Sequence, residues 1–335
     1  ILTLVSIGKR QYDYDPDKED GEEISDRYKI RKELQDFLKQ WELMTGNKSI
    51  KIGFVVPMAP IRGAFKTVFS NTQGLVGKMV IGPNDVVTNN EEREYDVVFV
   101  DEAHRLKRRK ALGAEIGSFD KCCERLDLDK NKANCLDFIL MKSKYQVLVY
   151  DEDQTVKSSD IPYEEFYGRL PEKLFSRELH TQMRCKGGSS FVDYVNDILN
   201  SNETAFRDFD SDYDFRLFDN PNEMISYINA KDKVEGLCRT VAGYAWKWVS
   251  NKGKEKAKTI DDMKRLGRKA DIVFGEKSYF WNIDNNRWIL RSSPEEIGCI
   301  HTTQGFDLNR VGVIFGPEID YDPIAGQIII NRNKF

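Results

Sequence analysis

The chain has 335 residues, of which 40% are hydrophobic and 32% charged, with a net charge of −4. That length carries two domains of ordinary size, each with its own core, and the composition fits a soluble globular protein with a heavily charged surface. No apolar run approaches the ~18 residues that cross a bilayer and no signal-peptide pattern is present, so no membrane partner is expected; the acidic balance gives no global argument for nucleic acid.

In chain order, ILTLVSIGKRQ opens at helical spacing with neither a cap nor an initiator Met, and IIINRNKF closes directly on an apolar run. Natural termini are more often polar, so both ends read as cuts within a longer protein. The acidic stretch YDYDPDKEDGEEISDR (12–27) reads as an exposed loop leading into a helix over DRYKIRKELQDFLKQWELM. Strands are expected at KIGFVVP (51–57), GKMVIGP (77–83), YDVVFVD (95–101) and YQVLVYD (145–151), with the charged segment 105–144 as an elaborated crossover. A second set is expected at DFRLFD (214–219), VEGLCRTVA (234–242), ADIVFG (270–275), EEIGCIHTTQG (295–305) and RVGVIFGP (310–317). NPNEMISYINA reads as a helix with Asn220 as N-cap and Pro221 at its first position. Short strands alternating with amphipathic helices predict an α/β fold with mainly parallel sheets flanked by helices. The domain boundary falls near residue 175, giving halves 1–175 and 176–335. Cys122, Cys123, Cys135, Cys185, Cys238 and Cys299 are dispersed without CxxC spacing, which points to reduced thiols and a cytoplasmic protein.

The chemistry gathers at strand ends. Asp101 and Glu102 follow the apolar run of YDVVFVDEAHRL, and in a parallel α/β sheet ligands collect at the carboxyl ends of strands. One carboxylate there can hold Mg²⁺ while its neighbour deprotonates a water; an Asp-Glu pair after a strand also serves as a helix N-cap. A second strand, QVLVYDEDQ, likewise ends in acid, and its Gln154 can donate and accept hydrogen bonds at a phosphate and its attacking water together. The basic runs RLKRRK (105–110) and KRLGRK (264–269) are each also explained as a solvated face.

The series VVPMAPIRGAF, VFVDEAHRL, YDEDQT, LHTQMRCKG, GLCRTVAGYAWKW and IGCIHTTQGFDLNRVGVIFGPE resembles the superfamily 1 DNA/RNA helicase core. The form most similar to it is the Schlafen-group-3-like helicase domain of bacterial and phage proteins. The resemblance covers nearly the whole chain and implies two RecA-like domains of the P-loop NTPase fold. ATP would sit in the cleft between them and single-stranded DNA or RNA across their top. Position by position, Asp101 resembles the Mg²⁺-binding acid, Glu102 the catalytic base and Gln154 the γ-phosphate sensor. Arg184, in QMRC, resembles the arginine that reaches the phosphates from the second domain. Thr303, Gln304 and Gly305 resemble the motif lying between nucleic acid and nucleotide. Arg62, in PMAPIRGAF, occupies the place of the segment that touches the single strand. Trp246 and Trp248, interleaved with Lys247, are candidates for base stacking, although aromatics at this spacing also build cores. His104 and His301 are expected to be structural or coupling residues. A glycine-rich loop ending in Gly-Lys-Ser/Thr is missing, and GLVGKM (74–79) is rejected because no Ser or Thr follows and no strand leads in. The chain is therefore expected to begin just beyond that loop and to stop before the family's last arginine motif.

Two rival readings stand beside an ATP-dependent helicase or translocase. One is a nucleotide-sensing or nucleic-acid-binding module of a defence or regulatory protein that has lost hydrolysis; ATPase activity stimulated by single strands separates it. The other is a two-metal nuclease, which accounts for the carboxylates but leaves QMRC and TTQGFD unexplained.

Overall fold

Four short apolar runs of the first half become parallel strands because helices or long crossovers separate them. In the computed structural model the described residues are 50–334, apart from 73, 90–93, 156, 173, 179–184, 203–208, 210–212, 252–256, 284–288, 290–292 and 304–305. The helix expected over residues 26–44 and the opening apolar stretch lie outside them. The chain divides into two compact units, Ile1–Leu174 and Phe175–Phe335.

In the first unit, β1 (Ile52–Val55) leads into α1 (Ala59–Asn71), followed by β2 (Val80–Ile81), α2 (Asp85–Thr88) and β3 (Tyr95–Val100). The crossover then carries α3 (Ile116–Arg125) and α4 (Cys135–Lys142) before β4 (Ser143–Leu148) and the short α5 (Tyr163–Tyr167). The strand order is β2-β1-β3-β4, every neighbour parallel. Val98 and Val100 of β3 are fully buried against Leu106, Phe119, Leu136, Phe138 and Ile161. Asn134 starts α4 with a capping box: its side chain accepts from the N–H groups of Leu136 and Asp137, and Asp137 accepts from the Asn134 N–H. Only Val80 and Ile81 of the expected strand 77–83 are extended. Gly77–Met79 form a 3-10 turn against α1, where a Cβ on Gly77 would lie 2.5 Å from Ser70 Oγ.

Four of the five cations of the run RLKRRK are paired within this unit. Arg105 pairs with Asp160 at 2.7 Å, Lys107 with Glu115 at 2.7 Å, Arg109 with Asp120 at 2.7 Å and Arg108 with Glu165 at 3.7 Å. The six cysteines are free thiols, and burial pushes Cys122 up to about 11 and Cys135 up to about 12, which makes both poor nucleophiles.

The second unit contains α6 (Gly188–Leu199), α7 (Pro221–Glu235), β5 (Cys238–Ala242), α8 (Ile260–Arg265), β6 (Ile272–Phe274) and β7 (Lys277–Trp281). After these come β8 (Glu296–Cys299), α9 (Ile300–Thr303), β9 (Arg310–Ile314) and the hairpin β10 (Ile319–Asp322) and β11 (Gln327–Ile330). The sheet order is β6-β7-β8-β5-β9, parallel throughout except for the β6–β7 hairpin. Helix α7 begins where the sequence places it, with the Asn220 side chain accepting from Asn222 N–H and Pro221 at its start. Its Met224, Ile225 and Ile228 pack on Ile272, Trp281, Ile297 and Ile314.

Two expectations are corrected. DFRLFD (214–219) is not a strand: Asp214 binds Arg216 two residues on at 2.6 Å, Phe215 joins the aromatic group of Phe191 and Phe209, and Leu217 is left 80% exposed. The run from 295 to 305 is extended only to Cys299 and then turns into α9.

Candidate functional site

The carboxyl edge of the first sheet is built where β3 and β4 end side by side. Asp101 N–H donates to Val55 O at 3.0 Å, Val149 N–H to Val100 O at 3.0 Å and Ala103 N–H to Val149 O at 2.7 Å. These bonds carry the strand pairing one step past the strands. Glu102 then turns the chain in the left-handed region, at φ 50° and ψ 51°, into the 3-10 turn Ala103–Arg105. That reversal brings the buried His104 back beneath the edge. Its Nδ1 accepts the Asp151 N–H at 3.3 Å, so a neutral ring carries its proton on Nε2. Nε2 lies 2.9 Å from Glu102 Oε2, although its N–H is not directed along that line. One imidazole thus touches the ends of both strands.

Asp151 is exposed and opens the one-turn helix Glu152–Gln154, and the Gln154 amide donates to its Oδ2 at 2.6 Å. The structure therefore brings Asp101, Glu102, Asp151 and Gln154 to one edge of two adjacent strands. Among the described residues no group of three His, Cys, Asp or Glu is placed to hold a metal by itself. A magnesium ion is bound by one or two carboxylates, with phosphate oxygens and water filling its octahedron. The Asp101–Glu102 pair fits that requirement.

Arg62 is placed differently from the expectation of an open nucleic-acid contact. Its Nε donates to Val56 O at 3.0 Å and its Nη2 to Pro57 O at 3.1 Å, and the guanidinium covers Gly82, where a Cβ would come within 2.8 Å. It closes the turn between β1 and α1. Trp246 and Trp248 are half-buried against the second core, edge-on to Phe274 at 6.1 Å and to Trp281 at 5.5 Å. Their rings are largely committed to packing, whereas Tyr244 is 46% exposed with its ring 5.5 Å from His301. Thr303 ends α9, its hydroxyl donating to Ile300 O at 2.7 Å. Arg184, Gln304 and Gly305 lie outside the described residues.

Glu318 is 5% exposed just beyond β9. Gly316 makes its seat, since a Cβ there would overlap the carboxylate.

Parallel strands flanked by helices, with acidic side chains at the carboxyl ends of two neighbouring strands, define an α/β protein. The chain belongs to the Schlafen group 3, DNA/RNA helicase domain family, which matches residues 26–335. It is also similar to uncharacterized protein YPL245W of Saccharomyces cerevisiae, 25% identical over 269 residues, a match covering 72% of this chain and 53% of the yeast protein. The chain thus spans about half the length of the curated relative it matches. No solved structure gives a significant match. No helix among the described residues is long and apolar enough to cross a membrane.

Proposed function

We propose that this chain is the motor core of an ATP-dependent superfamily 1 helicase or translocase that acts on single-stranded DNA or RNA through two RecA-like domains. The observation that supports it most is the joint edge of β3 and β4, where a carboxylate pair and a glutamine share one face through His104. Asp101 is the residue that would hold Mg²⁺, which when bound neutralises phosphate charge. Glu102 takes the proton of the water that attacks the γ-phosphorus as the bond to ADP breaks. Gln154 orients that water and reports the γ-phosphate. Arg184 supplies the always-charged planar donor for the phosphates, with Gln304 and Gly305 on the nucleotide side and Thr303 on the nucleic-acid side of the motif between them. Tyr244 offers more open aromatic surface than Trp246 or Trp248 for a base.

The test is Glu102→Gln in the whole protein, which keeps size and hydrogen bonding but removes the base. Single-strand-stimulated hydrolysis should fall about 10²-fold or more, while Mg-ATP binding persists. Turnover near that of the unaltered protein would remove Glu102 from the base role.

A further inference from the structure

The two basic runs have different fates. Four cations of RLKRRK are held in ion pairs, whereas KRLGRK ends α8 and turns toward a cavity of about 630 Å³ within the second unit. That turn is a Schellman motif. Gly267, at φ 61°, donates its N–H to Lys264 O at 3.0 Å, and Arg268 N–H donates to Met263 O at 2.9 Å. The geometry places Lys264 and Arg268 on the cavity wall, and Lys277 at the start of β7 joins them. Glu295 is the acid of the lining and lies 2.7 Å from Lys264. Among the described residues Lys277 has no carboxylate in ion-pair range. The lining therefore holds the exposed Lys277 and the half-buried Arg268 beside the Lys264–Glu295 pair, with the hydroxyls of Ser226 and Ser278 and the apolar side chains of Ile225 and Phe280 among its residues.

The cavity opens at the amino ends of β7 and β8, because Lys277 and Ser278 begin one strand and Glu295 immediately precedes the other. That is the sheet edge opposite Thr303, and the cavity shares no residue with the site proposed above. Its volume lies in the range of small-molecule sites, and a lining that mixes cationic, hydroxyl and apolar side chains suits a flat group bearing a phosphate. We infer that this cavity binds a phosphate monoester of a nucleoside, as a free mononucleotide or as the phosphorylated end of a nucleic-acid strand.

Two probes distinguish the sources in magnesium-free buffer: AMP by calorimetry, and a fluorescent single-stranded oligonucleotide with and without a 5′-phosphate by anisotropy. At least one probe should bind, and Lys277→Glu should weaken it about tenfold or more through charge repulsion at the rim. Lys277→Arg should retain binding. Arg265→Glu, on α8 next to Lys264 but outside the cavity lining, should change it less than about twofold, and circular dichroism should show each variant folded. Tighter binding of AMP assigns a free nucleotide, and a preference for the 5′-phosphorylated strand assigns a strand end. The inference is overturned if neither probe binds below about 1 mM, or if Lys277→Glu and Arg265→Glu weaken binding equally. Loss of hydrolysis in Glu102→Gln leaves this measurement untouched.

Discussion

Glu102 holds a left-handed backbone conformation that costs an ordinary residue on the order of 1–3 kcal/mol. The neighbours that fix it are the Ala103 N–H on Val149 O, the Arg105 N–H on the Glu102 carbonyl at 2.8 Å, and His104. His104 is 2% exposed, so removing it leaves a cavity and an Asp151 N–H without its acceptor. We expect His104→Ala to lower the stability of the first unit by about 1–3 kcal/mol, measured by urea unfolding. Asn at this position can present an oxygen near the place of Nδ1, so His104→Asn should recover part of the loss, whereas Gln should recover less. Equal stability of the Ala variant and the parent would mean that His104 does not tie the two strand ends. The Asp101, Glu102 and Gln154 cluster was legible in the sequence because each residue follows an apolar strand, and parallel pairing places such ends side by side. The inward turn of Arg62 was not legible, because its partners are backbone carbonyls that no residue pattern displays.

Elements were readable where local chemistry and tertiary packing agree. Asn220-Pro221 starts a helix by its own hydrogen bond and fixed φ, and YDVVFV pairs on both sides as a buried strand. DFRLFD failed because long-range side-chain bonds replace a ladder. Asp214 accepts from Arg216 at 2.6 Å, Tyr227 at 2.9 Å and Arg310 at 2.9 Å, and Arg310 also binds Glu235 at 2.7 Å. Strand β7 was hidden because KSYFW carries its buried residues consecutively, Tyr279, Phe280 and Trp281, and does not alternate. The Asp214 network sets a pH dependence. Arg216 foremost, then Tyr227 and Arg310, hold the Asp214 carboxyl at about 2 against partial desolvation. Its unfolded value is about 3.9, so between those values the unfolded chain binds the extra proton. The contribution is present above about pH 4 and is lost as pH falls through about 2. Solvent screening at this half-exposed site limits it to ~1 kcal/mol or less. Acid unfolding followed by tryptophan fluorescence should show a shallower limb between about pH 4 and 2 in Asp214→Asn. An unchanged limb would show that the network does not outlast solvent competition.

At the scale of the whole chain, the net charge of −4 makes any attraction to phosphate local. The carboxyl edge of the first unit is itself acidic, carrying Asp101, Glu102, Asp151 and Glu152. A triphosphate approaching that edge is repelled unless cations and backbone N–H groups offset its charge. In phosphate-binding loops a helix N-terminus with its lysine provides them. No Gly-Lys-Ser or Gly-Lys-Thr triplet occurs in the 335 residues. On the proposed reading, binding to this chain alone would rest on base contacts and on Arg184, which do not match the cost of ordering a flexible triphosphate. We therefore expect residues 1–335 by themselves to bind Mg-ATP with a Kd weaker than about 1 mM, some 4 kcal/mol of binding free energy, and to hydrolyse it at the background rate. Joining a Gly-Lys-Thr loop and its strand to the chain should raise affinity to the micromolar range and give turnover that depends on Glu102. Calorimetry of the two proteins side by side decides the point. Micromolar affinity in residues 1–335 alone would mean that groups already on these elements cradle the phosphates, and the acidic edge would have to be reassigned.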